Sequence, residues 1–161
     1  MKRIILLVLV FSAFSFAQQK FACIDPGRIM SESQFVKGKE TQLRAKVEEY
    51  QKQLDQINKR LEELRRQIES RGIAQNVREQ RIREYQRLET EGMELQQKAQ
   101  KELSEIKGKM EDEIISKVRE ISEEIAKGQS FTGILDCSAF IYKPAEIDIT
   151  TEVIQRLDQQ K

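Results

Sequence analysis

Histidine and tryptophan are absent from this 161-residue chain, and proline and cysteine occur only twice each. Without histidine it lacks the side chain that most often ligates metals and moves protons near neutral pH. It also has no glycine-rich phosphate loop and no strand–serine–helix nucleophile motif. The expectation is therefore a protein that is not an enzyme and holds no cofactor or metal. A dominant charge is missing too, with 28 basic against 27 acidic side chains, so overall charge selects no polyanionic partner. Aromatics make up only 6% and do not interleave with the basic residues, which argues against nucleic acid.

Long apolar runs are confined to the N-terminus. Lys2 and Arg3 precede an apolar stretch at residues 4–11, and Ser15-Phe16-Ala17 has the small residues of a cleavage site. The stretch is too short to span a bilayer and gives way to Gln18, Gln19 and Lys20. Residues 1–17 are thus expected to be a signal peptide cleaved after Ala17, leaving 26 basic and 27 acidic residues in an exported chain. In an oxidising compartment, Cys23 and Cys137 permit one disulfide. Two small buried hydrophobes are the other reading, and the residues leave both open.

What is present in abundance is charge, 34% of residues, in a pattern that suits long solvated helices. Residues 34–127 contain no proline. Leu43, Val47, Tyr50, Leu54, Ile57, Leu61, Leu64 and Ile68 follow alternating steps of four and three, an unbroken heptad seam. The seam stops at Gly72, and Val77, Tyr85, Leu88, Leu95 and Ala99 resume it from a second helix starting near Asn76. Folding back with the tip near residues 71–76 sets Ile57 against Leu88, Tyr50 against Leu95 and Leu54 against Gly92. An antiparallel helical hairpin explains these pairings, and a parallel coiled-coil dimer without a bend is the other reading. From Leu95 the pattern runs through Ala99, Leu103, Ile106, Met110, Ile114, Lys117 and Ile121 in an eleven-residue repeat, with Lys117 its one charged position, which relaxes or reverses the left-handed supercoil. Gly38 and Gly108 fall at one height and read either as a flexible base or as a close helix approach.

The two ends, 18–33 and 128–161, are expected to form one small α/β association body. Residues 20–24 read as a strand, with Asp25 and Pro26 opening a short helix and Ser33 capping a long one. Residues 134–137 and 140–142 read as a β-hairpin, and Asp148 to Glu152 supply caps for a terminal helix. Phe21, Ile24, Leu135, Phe140 and Tyr142 are the apolar candidates for association, since about three short strands leave open edges. The fold class is α+β, mostly α: a long coiled-coil hairpin arm on a small β-rich oligomerisation body.

Basic residues crowd the arm's far end: Lys59, Arg60, Arg65, Arg66, Arg71, Arg78, Arg81, Arg83 and Arg87. Across 59–90 these nine outnumber six acidic residues, whereas 91–127 holds seven basic and ten acidic. An electropositive tip can steer acidic or amphipathic partners and touch an anionic membrane surface transiently. Ordinary pairing of Glu with Arg along a helix accounts for the same residues without a partner.

The ends also carry a resemblance. Lys20-Phe21-Ala22-Cys23-Ile24-Asp25, then Arg28-Ile29-Met30 and Glu32-Ser33, resembles the N-terminal motif of the Skp/OmpH family of periplasmic chaperones. Residues 134–136, 139–142, 147–150 and 153–154 are similar to that family's more specific end motif. The resemblance implies a homotrimer whose three arms enclose a cavity. It further implies an ATP-independent holdase of the periplasm that keeps unfolded outer-membrane β-barrel proteins from aggregating. Better-known members are distinctly basic, and the two cysteines are not part of the family pattern. A coiled-coil adapter or spacer of the cell envelope is the alternative from the residues alone.

Overall fold

A computed structural model describes residues 19–160; the expected signal, residues 1–17, lies outside them. The elements follow in the order β1 (Phe21–Ile24), α1 (Pro26–Glu32), α2 (Gln34–Glu69), α3 (Gln75–Gln129), β2 (Gly133–Asp136) and α4 (Thr150–Asp158). Single 3-10 turns occupy Cys137–Ala139 and Ala145–Ile147. The fold is mostly α, with α2 and α3 forming a long antiparallel hairpin. Among the described residues no helix is long and apolar enough to cross a membrane.

Local chemistry sets the helix starts. The Asp25 carboxylate accepts from Arg28 N at 3.1 Å with Pro26 in the first turn of α1. Ser33 ends α1 and caps α2, its hydroxyl accepting from Val36 N at 3.4 Å. That hydroxyl also donates to Asp158 Oδ1 at 2.6 Å, and Asp158 takes Phe35 N at 3.1 Å as well. The end of α4 thereby satisfies orphan donors at the start of α2.

The core lies at the root, where Ala22, Ile29, Val36, Ile114, Ile121, Ile125, Ile149, Val153, Ile154 and Leu157 are buried together. Both chain ends and the near halves of α2 and α3 contribute, so the root closes only when residues far apart in sequence meet. β1 and β2 pair in parallel, with Phe21 opposite Gly133 and Ile24 opposite Asp136. The expected β-hairpin is not formed. Ser138 N turns back to the Asp136 carboxylate at 2.8 Å, an Asx turn that ends β2 and starts a 3-10 turn. Residues 140–142 consequently form no strand, and the sheet has two strands rather than three.

Two further differences concern the arm. Helix α2 ends at Glu69 with Ser70 as its cap, and the crossing passes through a turn at residues 71–72 flanked by extended Ser70 and Ala74, with no glycine at positive φ among the described residues. This connection displaces α3 along α2 by about one turn from a tight reversal at Gly72. Gly92 accordingly lies against Ile57, where an added Cβ would meet Cγ2 at 3.2 Å, rather than against Leu54. Gly38 and Gly108 have no neighbour within 4 Å of such a Cβ, so neither marks a close approach.

Candidate functional site

The arm's helices are long and most of their polar side chains are exposed, so binding groups are those the seam leaves outward. Of the seam residues, Tyr50, Leu64 and Ala99 are buried. Leu43, Leu54, Ile57, Leu61, Ile68, Val77, Tyr85, Leu88 and Leu95 are half-buried, and Val47 lies at the edge, 44% exposed. Tyr50 does not stop at the seam. Its hydroxyl donates to Glu102, which holds that carboxyl below its usual range.

At the tip the structure brings the basic residues together but engages many of them locally. Arg60 reaches Glu63 at 2.8 Å and, across the hairpin, Glu84 at 2.9 Å. Arg81 meets Glu84 at 2.8 Å, Arg65 meets Glu69 at 3.1 Å, and Arg66 approaches Glu62 at 4.0 Å. Hydrogen bonds from Arg60 first, then Arg81, hold the Glu84 carboxyl below its usual range. Arg78 donates instead to the Ser70 carbonyl at 3.1 Å and ties α3 to the crossing chain. Among the described residues, Lys59, Arg71, Arg83 and Arg87 have no ion-pair partner and are exposed. The tip is therefore a mesh of i,i+3, i,i+4 and cross-helix pairs with four cations left outward.

At the root, Phe21 and Leu135 are exposed on the two strands, Ile24 and Phe140 are half-buried, and Tyr142 stands 83% exposed beside a fully exposed Ile141. Cys23 and Cys137 form a disulfide that ties β1 to the turn after β2. Their sulfurs and an Asp148 oxygen lie within 4.8 Å of one another, but bridged sulfurs are not thiolate ligands. Between α1, α3 and the sheet is an apolar cavity of about 360 Å³ lined by Ile24, Ile29, Met30, Ile115, Val118 and Ile134. Sequence patterning missed this cavity because its walls come from four elements. Its advance signals are Ile115 and Val118, apolar residues off the seam of α3.

These features match known proteins over almost the whole chain. The family model described as outer membrane protein (OmpH-like) matches residues 20–157. An uncharacterized protein of Aquifex aeolicus (strain VF5) is 35% identical over 159 residues, covering 99% of this chain and 98% of that protein. Among solved structures, one of Caulobacter crescentus CB15, described as that of a candidate OmpH-like outer membrane chaperone, superposes with a TM-score of 0.78. It is 19% identical, and the match covers 90% of this chain and 87% of that one, a likeness of fold. With a matched model spanning both ends of the root and the whole arm between them, the chain belongs to the OmpH-like family.

Proposed function

We propose that this chain is an ATP-independent periplasmic holdase that binds unfolded outer-membrane β-barrel proteins before their assembly into the membrane. Family membership supports a chaperone role in general. The observation that carries the finer reading is the arm: α2 alone has 36 residues, about 54 Å at 1.5 Å per residue, and projects from a root with uncovered apolar side chains. Such an arm offers no dry pocket in which one folded ligand would be fixed.

In this reading residues 1–17 direct export and are removed after Ala17, and three copies associate through the root. Phe21 and Leu135 are exposed there on the two-stranded sheet, and Ile141 and Tyr142 on the chain beyond it. The β1 edge is bridged at Cys23 by Asp148, which leaves the β2 side as the kind of surface that a second and third copy would cover. Three arms then enclose the client, and many weak contacts hold it while each stays reversible. Release follows when insertion into the membrane is more favourable than the cavity. The outward cations Lys59, Arg71, Arg83 and Arg87 would steer acidic segments and make the on-rate depend on salt.

The test is aggregation of a urea-unfolded outer-membrane β-barrel on dilution, followed by light scattering with and without residues 18–161. Suppression at near-stoichiometric amounts without nucleotide is expected, together with a trimeric mass by sedimentation. Failure to suppress aggregation, or selective binding of one folded envelope protein, would replace the holdase by an adapter.

A further inference from the structure

Helix α3 is chemically lopsided along its exposed length. Ten positions on one flank, taken from Ile82 to Ile115 at steps of three and four, carry only two charges, Glu89 and Glu111, and no cation. The flank about a third of a turn away, followed in the same way from Arg83 to Ser116, has eight charged positions out of ten. Both rows are almost wholly exposed, so burial does not explain the difference. In a chain with 34% charged residues, it sets one face of the arm apart.

Apolar side chains mark this face at multiples of eleven residues, with Ser104 at the one such position between them. Ile82, Met93 and Ile115 are 38%, 53% and 56% exposed. The steps between them, eleven and twenty-two residues, are whole multiples of three helical turns, so they lie nearly in line over about 50 Å. Gln86, Gln97 and Gln100 fall between them. At the root the line enters the apolar cavity, of which Ile115 is a wall. Near the tip Ile82 and Gln86 share a groove with Ile68 and Tyr85.

We propose that this charge-poor flank is the surface on which the arm holds an extended, uncharged stretch of unfolded polypeptide. The proposal rests on the holdase reading and assigns its contact face. An unfolded chain presents apolar side chains together with unpaired backbone N–H and C=O groups. Glutamine carries both donors and acceptor and answers either backbone group. Spaced apolar contacts grip side chains without forming a continuous dry interface. A second helix fits poorly, because a helix–helix seam needs an apolar residue at every turn. An anionic lipid surface fits no better, since the row has no Lys or Arg.

The measurement is the affinity of a fluorophore-labelled, urea-unfolded outer-membrane β-barrel for residues 18–161 and their variants. Ile82→Glu with Met93→Glu lowers the net charge by two, and so does Lys98→Gln with Lys101→Gln on the charged flank. The first pair should bind about tenfold more weakly and the second within about twofold of the parent. Ile82→Gln with Met93→Gln, which leaves charge and helicity in place, should show an intermediate loss. Equal affinities across parent and flank variants would overturn this assignment and leave the holdase reading standing. A parent that binds no client would overturn both. An Ile82→Glu, Met93→Glu variant that sediments as a smaller species would make the flank a contact between copies and overturn the assignment.

Discussion

Asp148 sits where three segments of the root meet. Its carboxylate accepts Lys143 Nζ at 2.5 Å, Thr150 N at 3.0 Å and the Thr150 hydroxyl at 2.6 Å. The same hydroxyl accepts Asp25 N at 2.9 Å and so joins the end of β1 to the start of α4. Burial works against ionising Asp148, but the donors from Lys143 and Thr150 outweigh it and bring its pKa to about 2. An unfolded aspartate titrates near 3.9, so the fold favours the charged form by about 2 kcal/mol. That contribution is complete above about pH 4 and lost as the pH falls towards 2. Asp148→Asn should therefore lower the melting temperature at pH 6, and the gap from the parent should close near pH 2. A gap that persists unchanged through that range would assign the loss to packing instead. Sequence patterning expected residues from Asp148 to Glu152 to cap α4, whereas the helix starts at Thr150 behind Ile149 with no side-chain cap, and Asp148 takes the Thr150 N–H instead. Patterning could not identify Asp25 as a partner, because that contact spans 125 residues and belongs to no local motif.

At the scale of elements, helices were legible and their mutual register was not. A proline-free run with heptads and then an eleven-residue repeat leaves little but helix, and α2 and α3 occupy it. The register depends on how many residues the crossing consumes, and here residues 70–74 separate the helices, with extended Ser70 and Ala74 on either side of the turn at 71–72. The lost β-hairpin has a similar cause: one Asx turn at Asp136 outweighed the β-propensity of residues 140–142. Glycines separate these contributions experimentally. Gly38→Ala and Gly108→Ala add a Cβ to open space and should each stabilise the arm by about 0.5–1 kcal/mol. Gly92→Leu drives a large side chain against Ile57 and should cost about 1–3 kcal/mol. Urea titration followed by far-ultraviolet circular dichroism measures all three. A neutral Gly92→Leu would mean that the helices part freely at that level.

For the whole molecule, the topology turns on a closure that no local pattern reports. The arm is a loop inserted between β1 and β2, and the parallel pairing of those strands requires the chain to go out along α2 and return along α3. The Cys23–Cys137 bridge fixes this closure covalently across a sequence separation of 114. On chain entropy alone, cross-linking a loop of that length restrains the unfolded state by about 4–5 kcal/mol. The sequence permitted the bridge without requiring it; the root supplies the reason by seating both cysteines in buried positions between the strand and the turn. Replacing both by alanine should lower stability by about 3–5 kcal/mol and raise the urea m-value, because the unfolded chain would expand. Far-ultraviolet helicity without denaturant should stay near that of the parent, since the arm's heptads do not involve the root cysteines. Reductant should reproduce the shift in the parent and have no effect on the double variant. If reduction left the parent's urea midpoint unmoved, β1, β2 and the buried root would be holding the two ends of the arm together by packing alone.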